Sequence, residues 1–181
     1  MNNIVLCGFM GCGKSTVGKH VARKTGKKYV DMDFYIEQKA GMCVSEIFEK
    51  YGEQGFRDME HEACEELSRE KNLIIASGGG ALTFERNVAA FKKNDTVVLL
   101  DVDLETIKNR LRNDTKRPLL QRPDKDKVMK ELYDKRLPLY RSAADIVVKG
   151  QSTPLKTALA VIGAVRLHPI HKKSIDYSDL K

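Results

Sequence analysis

Residues 8–15 read Gly8-Phe9-Met10-Gly11-Cys12-Gly13-Lys14-Ser15, a match at every fixed position to the G-x-x-x-x-G-K-[ST] phosphate-binding loop. Ile4, Val5 and Leu6 before it form an apolar run short enough for a buried strand, and a helix-compatible stretch follows. Glycines at 8, 11 and 13 open backbone conformations closed to residues with a Cβ, so successive N–H groups can point inward at phosphate oxygens. A helix beginning near Lys14 adds its positive N-terminal end. Lys14 offers a point charge to β- and γ-phosphates, and the Ser15 hydroxyl a ligand for magnesium bridging them. A Gly-rich turn with no ligand is the plainer alternative; the strand and helix around the loop weigh against it.

Composition narrows the classes further. A chain of 181 residues suits one domain with a sizeable core. Apolar residues at 41% and charged residues at 31% indicate a globular chain, and no apolar run approaches the roughly 18 residues of a membrane span. Met1-Asn2-Asn3 carries no basic side chain, so no signal peptide is expected and the cytoplasm is the expected compartment. Cys7, Cys12, Cys43 and Cys64 follow no zinc spacing and are expected as free thiols. The net charge of +7 permits a nucleic-acid binder, yet no Lys/Arg run is interleaved with aromatics and Trp is absent. Anionic small substrates account for part of the excess, and a solvated basic surface accounts for the rest equally well.

Along the chain, strand and helix patterns alternate five times, which predicts a three-layer α/β/α domain with a five-stranded parallel sheet. Val17, Val21 and Ala22 give one face of a helix ending at Gly26. Lys28 to Val30 reads as a second strand running into Asp31 and Asp33, which on an extended chain point the same way, beyond the sheet's carboxyl edge; a helix cap plus a solvated acid is the alternative. Residues 34–71 read as helix broken at Gly41 and around Gly52 to Gly55, with Ser45 as a cap. Arg57 and Glu60, three apart, share a helix face, with a surface ion pair as the default. Leu73 to Ser77 is a strand leading into Gly78-Gly79-Gly80, where the missing side chains let a ligand approach the backbone or simply make a flexible turn. Thr96 to Leu100 is the fourth strand, and Asp103 caps the helix after it. Residues 112–127 carry six Lys/Arg and two prolines and read as a mobile basic lid or a solvated connector. A helix restarts at Val128 and is bent or ended by Pro138. Ile146 to Val148 is the fifth strand, and Thr153-Pro154 opens a last helix with Leu155, Leu159, Ile162 and Val165 on one side. Residues 168–181 form a tail, in which His168 and His171 are incidental.

Five stretches in order, GFMGCGKST, DMD at 31–33, FRDMEHE at 56–62, SGGG at 77–80, and KRPLL with RLPLYR, make the chain resemble the shikimate kinases, small P-loop enzymes of the nucleoside-monophosphate-kinase fold. The resemblance covers about residues 3–165 and implies a single kinase domain over 1–167, with a substrate-binding helical region at about 33–62. It implies transfer of the γ-phosphoryl of ATP to the 3-hydroxyl of shikimate, with Mg2+, in aromatic amino acid biosynthesis. By the same resemblance Asp31 assists the magnesium through water beside Ser15, and Asp33 contacts the substrate's hydroxyls and is the candidate base. Arg57, Gly79 and Arg136 bind shikimate, flanked by Gly78 and Gly80, with Glu60 orienting Arg57 and with Phe48 and Phe56 as apolar walls. Arg117 contacts the phosphoryl group in the transition state, and Arg110 stacks on adenine. Gly11, Cys12, Gly13, Thr16 and Thr153 complete the nucleotide set, and Lys14, Asp33 and Arg117 form the catalytic one. A monomer acting on shikimate and ATP, without nucleic acid or membrane, is expected. Another small-molecule kinase of this fold, such as a gluconate or adenylate kinase, is the nearest rival; a regulatory module that holds ATP without using it is the rival from another class.

Overall fold

Five short runs form one sheet in which every pairing is parallel: Ile4–Cys7 (β1), Lys28–Asp31 (β2), Leu73–Ala76 (β3), Thr96–Asp101 (β4) and Ile146–Lys149 (β5), in the order β2-β3-β1-β4-β5. The computed structural model describes residues 2–112 and 123–168. At the centre Ile4 pairs with Ile74 on one side and Thr96 on the other. Every residue of β1 and β3 is buried, as expected for strands covered on both faces, whereas the edge strands β2 and β5 carry Lys28 and Lys149 into solvent.

Among the described residues the helices are Lys14–Thr25 (α1), Met32–Ala40 (α2), Val44–Arg69 (α3), Glu85–Lys92 (α4), Leu104–Leu111 (α5), Lys125–Ala143 (α6) and Pro154–Leu167 (α7), with a 3₁₀ turn at Ala81–Thr83. Helices α1 and α7 pack on one another, and α3 packs against α2 and α4. One continuous apolar core joins the sheet to them. Because all strands run the same way, their carboxyl ends share an edge, and the phosphate loop, Asp31, the glycine triplet and Gly150 all emerge there.

Several local expectations change. Asp31 closes β2 but Asp33 already lies on the first turn of α2, so the pair straddles a strand–helix junction instead of sharing a strand face; the fully buried Met32 between them is the first helical residue. Helix α3 is capped by Cys43, not Ser45, because Glu46 reaches back to the Cys43 N–H at 2.7 Å. Helix α6 begins at Lys125 and runs through Pro138 to Ala143; burial of Tyr140 and Ala143 beyond the proline holds the turn that has lost a backbone donor. On α7 the buried stripe is Thr157, Ala158, Val161 and Val165, while Leu155 and Leu159 are exposed. Most of the lid expectation, Arg117 included, and the tail from 169 onward with His171 lie outside the described residues. The four cysteines are free, and no helix among the described residues is long and apolar enough to cross a membrane.

Candidate active site

Gly13 turns β1's loop into α1. Its backbone lies at φ 101° and ψ 17°, a left-handed conformation suited to glycine, and as N-cap it brings no side chain to the first N–H groups of the helix. Those donors are left for an anion. Lys14 Nζ donates to the carbonyls of Gly8 (2.7 Å) and Phe9 (3.1 Å), which seats the ammonium over the loop. Arg110, on the last turn of α5, donates to the carbonyls of Gly11 (3.3 Å) and Cys12 (3.1 Å).

Ser15 Oγ donates to Asp31 Oδ2 at 3.0 Å, and the Tyr29 hydroxyl donates to the same oxygen at 3.0 Å. Tyr29 and Asp31 are two apart on β2, so both project from one face. A hydroxyl and a carboxylate in contact are hard oxygen donors, few in number, and Mg2+ characteristically takes one or two protein ligands and fills its shell with water and phosphate. The donor set therefore fits Mg2+. No cluster of three or more His, Cys, Asp or Glu able to hold a metal occurs among the described residues.

Asp33 is half-buried, and burial raises its pKa above the ordinary aspartate value; the Asp31 carboxylate adds to the rise while Lys14 and Arg57 oppose it. Arg57 Nη1 donates to Glu60 Oε2 at 2.6 Å, and Nη2 to Glu53 Oε1 at 3.1 Å. Glu60 is only 1% exposed, so this is a buried pair and not the surface pair taken as the default. Burial pushes the Glu60 carboxyl upward despite Arg57, and burial of Arg57 is outweighed by Glu60 and Glu53, which raise its pKa.

The glycine triplet lets these charged groups meet. A Cβ on Gly78 would lie 2.6 Å from Asp33 Oδ1 and 2.9 Å from Glu60 Oε1, and one on Gly80 would lie 2.8 Å from Arg57 Nη1. The space that the sequence reading gives to a ligand is, at these two positions, filled by the protein's own side chains. Gly79 differs: among the described residues, a Cβ there would meet only Met10 N, at 3.9 Å. Its carbonyl accepts from Arg136 Nη1 at 3.3 Å and from the Tyr140 hydroxyl, both presented by α6.

Gly11, Cys12, Gly13, Lys14, Ser15, Thr16, Asp31, Asp33, Arg57, Gly79, Gly80, Arg110 and Arg136 all line one cleft of about 740 Å³. Glu60 and Gly78 stand behind it, in contact with its walls. Thr153 adjoins the lining residue Pro154, and its hydroxyl accepts from Lys156 N–H at 3.2 Å as the cap of α7. Phe48 and Phe56 are not among the lining residues; their rings stack with centroids 4.7 Å apart, and Phe56 lies 5.6 Å from the Arg57 guanidinium. No motif picks out Tyr29, Glu53 or Phe84, which brace the acids and arginines, whereas Tyr140 lies within the RLPLYR stretch and holds the Gly79 carbonyl. Tyr29 and Glu53 do carry periodic signals, two residues before Asp31 on a strand and four before Arg57 on a helix. Phe84, 5.3 Å from Arg57, arrives through tertiary packing alone.

A parallel sheet in this order, a phosphate loop after its central strand, and acids and arginines gathered at its carboxyl edge define a P-loop kinase of the nucleoside-monophosphate-kinase type. The family model described as shikimate kinase matches residues 10–166. The shikimate kinase of Thermodesulfovibrio yellowstonii is 43% identical over 162 residues, spanning 90% of this chain and 94% of that one. The chain belongs to the shikimate kinase family. Among solved structures, a shikimate kinase from Acinetobacter baumannii in complex with shikimate superposes with a TM-score of 0.85 at 36% identity, covering 97% of this chain and 96% of that one. A gluconokinase from Sinorhizobium meliloti, at 14% identity and a TM-score of 0.59 over 96% of this chain and 97% of that one, shares the fold alone.

Proposed function

We propose that this chain transfers the γ-phosphoryl group of ATP to the 3-hydroxyl of shikimate, giving ADP and shikimate 3-phosphate on the route to chorismate and the aromatic amino acids. The observation that carries the reading is one cleft lined at once by Lys14 and Ser15 and by Asp33, Arg57 and Arg136. Shikimate offers a carboxylate and three hydroxyls, and the cleft offers guanidinium forks and an acid, their chemical complements.

Arg57 and Arg136 take the carboxylate, and Asp33 takes hydroxyls. Its raised pKa makes Asp33 a better acceptor for the proton of the attacking 3-hydroxyl, although phosphoryl transfer asks more of alignment than of base strength. Glu60 orients Arg57 through the 2.6 Å ion pair. On the donor side Lys14 and the first N–H groups of α1 hold phosphate oxygens, with Gly11, Cys12, Gly13 and Thr16 forming the cradle and Arg110 and Thr153 serving the nucleoside end. Ser15 and, through water, Asp31 would hold Mg2+, which when bound screens the β- and γ-phosphates. Arg117, outside the described residues, is the further cation assigned to the moving phosphoryl group. Residues 1–167 work as one kinase domain, with the helical region at about 33–62 gripping the acceptor. The working unit is a cytoplasmic monomer whose partners are these two small molecules, with neither nucleic acid nor membrane.

The test is ADP release from ATP and Mg2+ with shikimate, gluconate or AMP as acceptor. Stimulation by shikimate alone is expected. Equal stimulation by gluconate or AMP, or none by shikimate, would reject the assignment.

A further inference from the structure

We propose that Glu53 competes with the substrate's carboxylate for Arg57, and so sets how tightly an anionic acceptor is held. The inference rests on the reading of Arg57 as carboxylate receptor. The Arg57 guanidinium is crowded: Nη1 is 2.6 Å from Glu60 Oε2, a Cβ on Gly80 would press on the same nitrogen, and the rings of Phe56 and Phe84 lie 5.6 and 5.3 Å away. A carboxylate that grips a guanidinium with both oxygens uses either the end-on pair Nη1 and Nη2 or the side-on pair Nε and Nη2. Both forks include Nη2. That nitrogen donates to Glu53 Oε1 at 3.1 Å, while Nε is buried and has no partner among the described residues.

The two acids on Arg57 are not equivalent. Glu60 is sealed in, and separating it from Arg57 would strand a buried charge. The Glu53 side chain is 71% exposed and can turn into water, where an ion pair contributes little. Glu53 also follows the break in α3 at Gly52 (φ 67°, ψ −176°), so it starts a helical segment whose N-terminal end favours a carboxylate that has left its partner. Displacing Glu53 is therefore the easiest way for a third carboxylate to reach Arg57. A neutral ligand of the same shape gains less from that exchange, which makes Glu53 a determinant of affinity for charged against uncharged acceptors.

Calorimetric Kd values of shikimate and of its neutral methyl ester, for the wild type, Glu53→Gln and Arg57→Lys, test this. Gln keeps the length of the side chain and removes its charge. Relative to the ester, shikimate should bind Glu53→Gln about two- to fivefold tighter, the range set by a helical i,i+4 pair with one desolvated partner. In turnover the change should fall on KM more than on kcat. Unchanged or weaker shikimate binding in Glu53→Gln, or equal tightening of acid and ester, overturns the proposal. Arg57→Lys should weaken shikimate more than the ester; if it leaves both unchanged, the receptor reading itself fails and the competition with it.

Discussion

Replacing Gly78 with alanine tests whether the triplet exists to seat the site's own acids. The added methyl would lie 2.6 Å from Asp33 Oδ1 and 2.9 Å from Glu60 Oε1, where ordinary contact begins at 3.4 Å. Glu60 has little room to yield, being buried and held 2.6 Å from Arg57, so most of the adjustment falls on Asp33. Restoring contact moves that carboxylate by about 0.8 Å, and a misplacement approaching 1 Å at a positioning group lowers kcat/KM by roughly 30- to 100-fold. Overpacking of this kind destabilises by about 1–3 kcal/mol, or about 3–10 °C in Tm for a domain of this size. The assays are coupled detection of ADP at varied shikimate and thermal unfolding. Gly79→Ala is the internal comparison, since among the described residues its methyl would meet only Met10 N at 3.9 Å and Tm should hold within about 2 °C. If Gly78→Ala retains kcat/KM within about threefold and unfolds with the wild type, the acids are not braced against the triplet and the reasoning is wrong.

Asp33→Asn should lower kcat by about 10²- to 10⁴-fold while ATP affinity, read by calorimetry, stays near wild type; an equal loss of both would place Asp33 on the nucleotide side. The same variant should be more stable than the wild type at pH 7. The raised native pKa means that charging Asp33 opposes folding above that pKa, and the penalty fades as pH falls toward the ordinary aspartate value, so the Tm advantage should shrink on acidification. Arg136→Lys should raise KM for shikimate about tenfold, because an ammonium cannot fork a carboxylate; an unchanged KM would remove Arg136 from the acceptor site. Tyr140→Phe leaves the Gly79 carbonyl to Arg136 alone and should cost about 1 kcal/mol of stability in denaturant titration, with no effect at all counting against the bond.

What could be read from the chain was mostly local. The phosphate loop, its strand and its helix are contiguous, and each glycine or lysine in the loop announces its own role. The strands follow from short apolar runs, and Thr153 and Asp103 cap the helices expected of them. The last helix was harder, because Leu155, Leu159 and Ile162 sit among Ala158, Val161 and Val165 and several sides of α7 are apolar. Packing on α1 and β5 selected the stripe that includes the small residue Ala158, and Leu155 and Leu159 were left outside. Around Arg57 the limit is of another kind. Its pairing with Glu60 follows from helical spacing, but the closeness of Gly80 and Phe84 is created only when α3 and the chain after β3 pack together. Three glycines in a row announce an absence of side chains without saying what fills the space.

In the proposed site, the two acids of the DMD stretch are joined by a single buried residue that couples both halves of the transfer. Asp31 ends a strand, and one of its oxygens receives Ser15 and Tyr29, which ties it to the phosphate side. Asp33 lies on the first turn of a helix with its carboxylate against Gly78, and the proposed assignment gives it the acceptor. Between them Met32 is fully buried, its sulfur 3.7 Å from Cys64 Sγ on α3. Asp31 is thereby carried by the sheet and Asp33 by the helix layer, with the backbone of one core residue fixing their separation. A flexible loop bearing the same two acids would have to be ordered anew in each turnover. On the proposed assignment, a strand–helix junction anchored through Met32 keeps donor and acceptor acids in register before either substrate arrives, which is the alignment that phosphoryl transfer demands.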